Sequence, residues 1–321
     1  MDYSYRGKET EEFEIAIGEL TGSKYVLATN TGTSALHLSY ICSGIKPNEE
    51  VIVPALTFIG TINPIVYIGA IPHFVDCDDC LGIDTKKLEH YLSYIGKIEN
   101  GIVYNKLTNR KISAIVAVHV LGNPIDIEEI NRIALHWGLK VIEDAAQAIG
   151  SYIEKPDNYR FNQHVGTHSD FGIISFNGNK LLTTGGGGAI LTWSKDYYNY
   201  VKHLSMTAKD QSQKQNYHDQ IGFNYRMPAW NAILGLKNLK KLNKNIELCY
   251  NKYRKLSKEF EVIPTRKHTK PNYWRTGIID EKQNNSFQPI WGLVSDFPMY
   301  QYCPKMDLSK SRYYKNYLYI A

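Results

Sequence analysis

The segment 174–192, ISFNGNKLLTTGGGGAILT, sets Lys180 five residues after Ser175 and just ahead of a run of four glycines, between two apolar stretches. A lysine in that setting is partly desolvated, and desolvation lowers an amine's pKa, as formation of a Schiff base with a carbonyl requires. Glycines let the backbone fold tightly beside a bulky ligand. A Gly-rich hairpin with an incidental lysine has the same letters. In LKVIEDAAQAIGS, 139–151, Asp144 closes an apolar run. A carboxylate buried there must cap a backbone or meet a cation, such as a protonated ring nitrogen. Gln147 stands one helical step further on. In NTGTSALHLSY, 30–40, a Gly turn precedes a helix whose first turn holds Thr33 and Ser34. Free N–H groups, hydroxyls and the helix dipole form an anion site there, although an ordinary capped helix start reads the same. Phe58 in ALTFIGT and Asn224 in GFNYRMP are ambiguous by themselves. The first reads as a core aromatic, the second as a turn before a helix with Pro in its first turn.

These residues need a scaffold, and the apolar pattern supplies one. Val- and Ile-rich runs predict strands at 25–29, 50–56, 71–76, 112–120, 139–144, 171–176 and 188–193. Helical patterns fall at 33–44, 84–95, 126–137 and 195–205, the third with Asp126 as N-cap. The alternation predicts an α/β fold, a mostly parallel seven-stranded sheet flanked by helices, with Asp144 at the carboxyl edge where such sheets place ligands. The stretch 227–261 predicts one long amphipathic helix linking a large domain, 1–235, to a smaller C-terminal one, 236–321. Beyond 262 the chain is polar and Tyr-rich, with no period that places elements.

The composition fits this scheme. Of 321 residues, 43% are hydrophobic and 21% charged, which suits a folded protein with a sizeable core. The net charge of +5 is spread among acids rather than gathered in a stripe, so an anionic small substrate is expected and nucleic acid is not. No apolar run reaches membrane-spanning length and the N-terminus has no signal-like h-region, so a cytoplasmic protein is expected. Cys42, Cys77, Cys80, Cys249 and Cys303 read as reduced thiols. The pair Cys77 and Cys80, with His73 nearby, lacks a second ligand pair, so no metal is expected. His119 and His218 read as packing or polar-network residues.

The ordered series GTSALHL, VIVPALTFIGT, VIEDAAQAIGS, SFNGNKLLTTGGGG and GFNYRM resembles the DegT/DnrJ/EryC1/StrS family of sugar aminotransferases, from about residue 10 to 245. The resemblance implies the fold type I architecture and pyridoxal 5'-phosphate (PLP) as cofactor. It implies Lys180 as the Schiff-base lysine and the acid and base of the proton shift. Asp144 would pair the ring nitrogen, Gln147 the ring hydroxyl, and Phe58 would stack on the ring. Thr33, Ser34 and Ser175 would hold the phosphate. Asn224 would reach the phosphate of a neighbouring subunit, implying a homodimer with shared sites. The strings LGIDTKKL, SFNGNK and HDQIGFNYRMP resemble the branch that aminates C4 of UDP-linked 2-acetamido-2,6-dideoxy-4-keto-hexose, with glutamate as donor. Sugar dehydratases of the same family carry His at the lysine position, and this chain has Lys180. Measured against the family, the N-terminal segment and the small C-terminal domain look shortened. A degenerate or truncated paralogue that binds PLP without turnover is therefore the alternative expectation.

Overall fold

Apolar runs buried on both faces become the strands of the main sheet. The computed structural model describes residues 7–154, 163–210, 212, 216–283 and 286–321. The strands are β1 (Tyr25–Thr29), β2 (Glu50–Pro54), β3 (Ile71–Val75), β4 (Ile112–Val118), β5 (Lys140–Asp144), β6 (Phe171–Ser175) and β7 (Gly188–Thr192). They lie in the order β1-β7-β6-β5-β4-β2-β3. β7 runs antiparallel to both its neighbours, and the other pairings are parallel. Consequently the start of β7 and the ends of β1, β5 and β6 share one edge.

Helices cover both faces. α1 (Lys8–Thr21) packs Phe13 and Ile17 into the core, and α2 (Gly32–Cys42) follows β1 directly. α3 (Thr85–Ile95), α4 (Ile127–Trp137) and α5 (Lys195–Ser205) begin on Asp84, Asp126 and Ser194, whose side chains accept from backbone N–H groups of the first turn.

The single long helix expected over 227–261 is two helices, α6 (Ala229–Leu239) and α7 (Leu242–Leu256). The two bury different faces against different neighbours, which the charge pattern does not reveal. α6 is drawn onto the loop before β7, where Asn231 and Asn238 donate to carbonyls of Thr184, Gly186 and Thr183. α7 turns its Tyr250 and Tyr253 toward Tyr273.

A second sheet, which the sequence does not place, combines β8 (Glu261–Val262), β9 (Gly277–Ile279), β10 (Gln288–Pro289) and β11 (Leu318–Ile320) in the order β8-β9-β11-β10. α8 (Ser309–Tyr317) leads into β11. This region is laced to the main sheet. The Phe74 N–H donates to Pro304 and its carbonyl accepts from Met306, so the late chain pairs along the β3 edge. Asp76, fully buried, accepts from Ser311 N and Oγ, Lys310 N and Lys87 Nζ at 2.6 to 3.1 Å, and so caps α8 from the far end of the chain.

Candidate active site

At the shared edge a cavity of about 340 Å³ opens, and Lys180, Asp144, Gln147, Phe58, Thr33 and Ser175 all line it. The phosphate-sized end is built by the entry to α2. Thr31, in extended conformation, caps the helix through Oγ1, which accepts from Ser34 N at 2.9 Å. The helix start can approach the sheet because Gly188 has no side chain. A Cβ there would stand 2.5 Å from Gly32 N and 2.6 Å from the Thr31 carbonyl. A Cβ on Gly32 would stand 3.0 Å from Ser175 Cβ, so Ser175 packs against the helix start, and Ser175, Thr33 and the helix N-terminus line the cavity together as an anion cradle. Ser34 does not line this cradle. Its Oγ is buried against Thr31 Oγ1 at 2.9 Å, and Thr31, not anticipated from the sequence, lines the cavity instead.

The other end holds Asp144 at the close of β5. Its Oδ2 accepts from Thr61 Oγ1 at 2.7 Å and its Oδ1 from Ala146 N at 3.0 Å. Burial raises its pKa, and the bonds to Thr61 and Ala146 with the charge of Lys180 offset this only in part. The adjacent Glu143 points the opposite way. There burial is outweighed by His119 Nε2 at 3.0 Å and by backbone N–H groups of Gly166 and His168, which hold its carboxyl down at about 2. His119 is thereby a polar-network residue, and His218 bonds the Thr207 carbonyl. His73 pairs with Glu50, and the Cys77 thiol accepts from Ser311 Oγ, so the CxxC and its neighbouring His serve separate contacts.

Gln147 reaches the cavity by a different route from that expected. Residues 145–150 form turns rather than a helix, so no helical step relates it to Asp144. Its Oε1 accepts from Leu121 N at 2.8 Å, where Leu121 takes the left-handed φ of 57°. That bond leaves the amide donors for the cavity. Phe58 is not core. It precedes a 3₁₀ turn, is 53% exposed, and its ring lies 6.3 Å from that of Trp291 at the cavity mouth.

Lys180 projects from the turn between β6 and β7, half-buried. Among the described residues its amine has no hydrogen bond or ion pair, and it lies 4.0 Å from the centre of the Trp274 ring. Burial brings its pKa down to about 8, with Arg275 adding to the shift and Asp144 opposing it. Trp274 and Trp291 were not legible as site residues, because the contacts that bring them here join residues far apart in the chain, 95 residues for Trp274 and Asn179. Asn224 lies outside the cavity on the surface, its Oδ1 accepting from Arg226 at 3.2 Å.

The donor set is suited to a flat cation-bearing ring with a phosphate at one end. The buried Asp144 carboxyl and the Lys180 amine, with no ion pair between them, line one cavity together with the anion cradle.

Similarity to known proteins agrees with this geometry. The chain is 33% identical over 317 residues to GDP-perosamine synthase of Escherichia coli O157:H7, covering 92% of this chain and 80% of that one. It is 32% identical over 309 residues to UDP-4-amino-4,6-dideoxy-N-acetyl-beta-L-altrosamine transaminase of Campylobacter jejuni serotype O:23/36, covering 95% and 73%. The crystal structure of a DegT DnrJ EryC1 StrS aminotransferase from Brucella abortus superposes with a TM-score of 0.86 at 25% identity, over 98% of this chain and 84% of that one. With a family match that runs over residues 2–288, the chain belongs to the DegT/DnrJ/EryC1/StrS aminotransferase family.

Proposed function

We propose that this chain is a PLP-dependent aminotransferase that moves the amino group of glutamate to the C4 ketone of a nucleotide-linked, UDP-bearing 4-keto-6-deoxy sugar, in the synthesis of surface-polysaccharide sugars. The observation that carries the reading is the half-buried, unpaired amine of Lys180 sharing one cavity with the buried carboxylate of Asp144. When bound, PLP supplies an electron sink that makes the carbon–hydrogen bond next to the transferred nitrogen acidic.

The chain's own residues do the rest. Asp144 holds a proton on the ring nitrogen by placing a buried negative charge beside it. Thr33 and Ser175, with the N-terminus of α2, bind the phosphate and fix the ring's position, and Ser34 supports them through its contact with Thr31. Gln147 donates to the ring hydroxyl, and Phe58 covers one face of the ring. Lys180, with its pKa near 8, releases and accepts a proton at Nζ close to neutral pH and moves it from carbon to carbon. Family members named for GDP- and UDP-linked sugars stand at similar identity, and the Campylobacter relative supports the UDP choice.

The active unit in this reading is a cytoplasmic homodimer in which Asn224 reaches the phosphate of the neighbouring subunit. Tyr67, His37, Phe223 and Tyr225 form a connected ring cluster on both sides of Asn224, with Tyr67 60% and Ile221 86% exposed, and such a patch supports a buried contact. Residues 1–235 would form the cofactor domain and 236–321 the small domain, a division supported by the second sheet lying wholly within 261–320. Among the described residues no helix is long and apolar enough to cross a membrane.

The test is direct. Purified protein given PLP should develop a visible absorption band that bleaches on adding glutamate. With UDP-, GDP- and dTDP-linked 4-keto sugars, mass analysis should find the amino sugar from the UDP substrate. Protein that takes up no PLP, or a band that glutamate leaves unchanged, would overturn the reading.

A further inference from the structure

The contact between Lys180 and Trp274 joins a residue of the cofactor loop to one from the far end of the chain. The amine stands over the indole face at 4.0 Å, and the same indole donates from Nε1 to the carbonyl of Asn179, the residue before Lys180, at 2.8 Å. One side chain thus holds both the backbone and the amine of this turn.

Trp274 is itself firmly held. Its N–H donates to Asn272 Oδ1 at 2.9 Å, and the fully buried Asn272 donates from Nδ2 to the carbonyls of Gln147 and Ile149 at 3.0 and 2.8 Å. Tyr273, between them, takes a left-handed φ of 54°, which a bulky side chain adopts only when its surroundings impose it. The rings of Tyr250 and Tyr253 from α7 pack on it at 5.0 and 4.7 Å. The chain therefore sustains backbone strain at the position that aims Trp274 at Lys180.

Chemistry supplies a reason. In a transamination the lysine amine is joined to the cofactor for part of the cycle and free for the remainder. Before the cofactor is bound, the free ammonium, attracted by Asp144, can fall into an ion pair that occupies the place of the ring nitrogen. An indole face attracts the ammonium more weakly than a carboxylate does and accepts no proton from it, so the amine is parked and still able to react. We propose that Trp274 is a positioning residue that docks the Lys180 amine whenever that amine is not joined to the cofactor, a role that rests on the aminotransferase reading.

The dock can be observed without turnover. In the full-length, cofactor-free protein labelled with lysine carrying 13C at the ε position, the ε-methylene signal of Lys180 is identified by its loss in Lys180→Arg. The indole ring current should place it upfield of the other lysines. Trp274→Leu should return it to their envelope, and Trp274→Phe, which keeps an aromatic face, should retain a smaller upfield displacement. Pyridoxamine phosphate, which offers no aldehyde, should leave the signal upfield, whereas PLP should move it. A Lys180 signal inside the envelope in the unaltered protein, one indifferent to Trp274→Leu, or one released by pyridoxamine phosphate would overturn the dock. Should Trp274→Leu fail to fold, the Trp274→Phe and pyridoxamine phosphate measurements decide by themselves. An upfield signal in protein that fails to retain PLP on gel filtration would support the dock and count against the aminotransferase reading alone.

Discussion

Lys180 and Asp144 share one cavity and respond to burial in opposite senses, the amine downward and the carboxyl upward, so each is biased toward its neutral form until a cofactor arrives. Two pH effects follow. The rate at which cofactor-free protein condenses with PLP should rise through a midpoint near about 8 in stopped-flow absorbance, and Arg275→Gln should move that midpoint upward by removing a like charge. Asp144, with its pKa raised above the unfolded value, contributes stability that is present below the unfolded pKa and lost as pH rises through the folded one. Asp144→Asn abolishes that loss. Calorimetry at neutral pH should therefore find the cofactor-free variant melting above the unaltered protein, while its turnover falls. Lys180→Ala should cost at least about 10²-fold in kcat, the usual scale of a lost acid–base group. At this scale the sequence was informative wherever neighbours in the chain are neighbours in space. Lys180 and the glycines announce each other, and Asp144 closes its own strand. Thr31 was not anticipated, because which hydroxyl caps the helix and which faces the cavity is set by the fold of the backbone at the helix start.

The elements divide by how completely they are buried. Strands covered on both faces, such as ISAIVAV at 112–118, show as continuous apolar runs and were legible to within about two residues. Gln288–Pro289 and Glu261–Val262 pair over two residues each and have no period to read. The break between α6 and α7 falls inside an unbroken Lys-rich pattern, and only the packing of each half on a different surface imposes it. Helix ends yield two measurable expectations. Thr31→Ala removes the cap of α2 and should lower stability by about 1 kcal/mol in urea unfolding. It should also weaken PLP binding, because the cap orients the cradle. At Asp76 burial is outweighed by its bonds to Lys87, Ser311 and Lys310, and the carboxyl is held below its usual range. Its contribution is therefore present above the unfolded pKa and lost as pH falls through the folded one. Asp76→Asn should cost about 1–3 kcal/mol at neutral pH, with the gap to the unaltered protein narrowing in acid.

At the scale of the molecule, the exposed side chains of Tyr67 and Ile221, with the half-buried rings of Phe223 and Tyr225 that flank Asn224, support the proposed partner surface. Ile221→Glu puts a charge into that surface, and on the proposed homodimer sedimentation at micromolar concentration should find the unaltered chain dimeric and the variant monomeric. PLP binding should weaken with it if each site borrows Asn224 from the other subunit. The large sheet and the order of its motifs were readable from the sequence, whereas the tie between the end of β3 and α8 was not, since no local pattern records a contact between Asp76 and Ser311. That contact also bears on how the protein is made. On the ribosome Asp76 emerges 234 residues before Lys310, whose backbone amide, with that of Ser311, satisfies it. Until they arrive, a growing chain can close the β3 edge only over a carboxylate short of partners. The edge should stay open while the intervening residues are made, within reach of chaperones and of stray strands, and seal only once residues 310 and 311 have left the ribosome. Asp76 thus delays completion of the sheet until α8 has been translated.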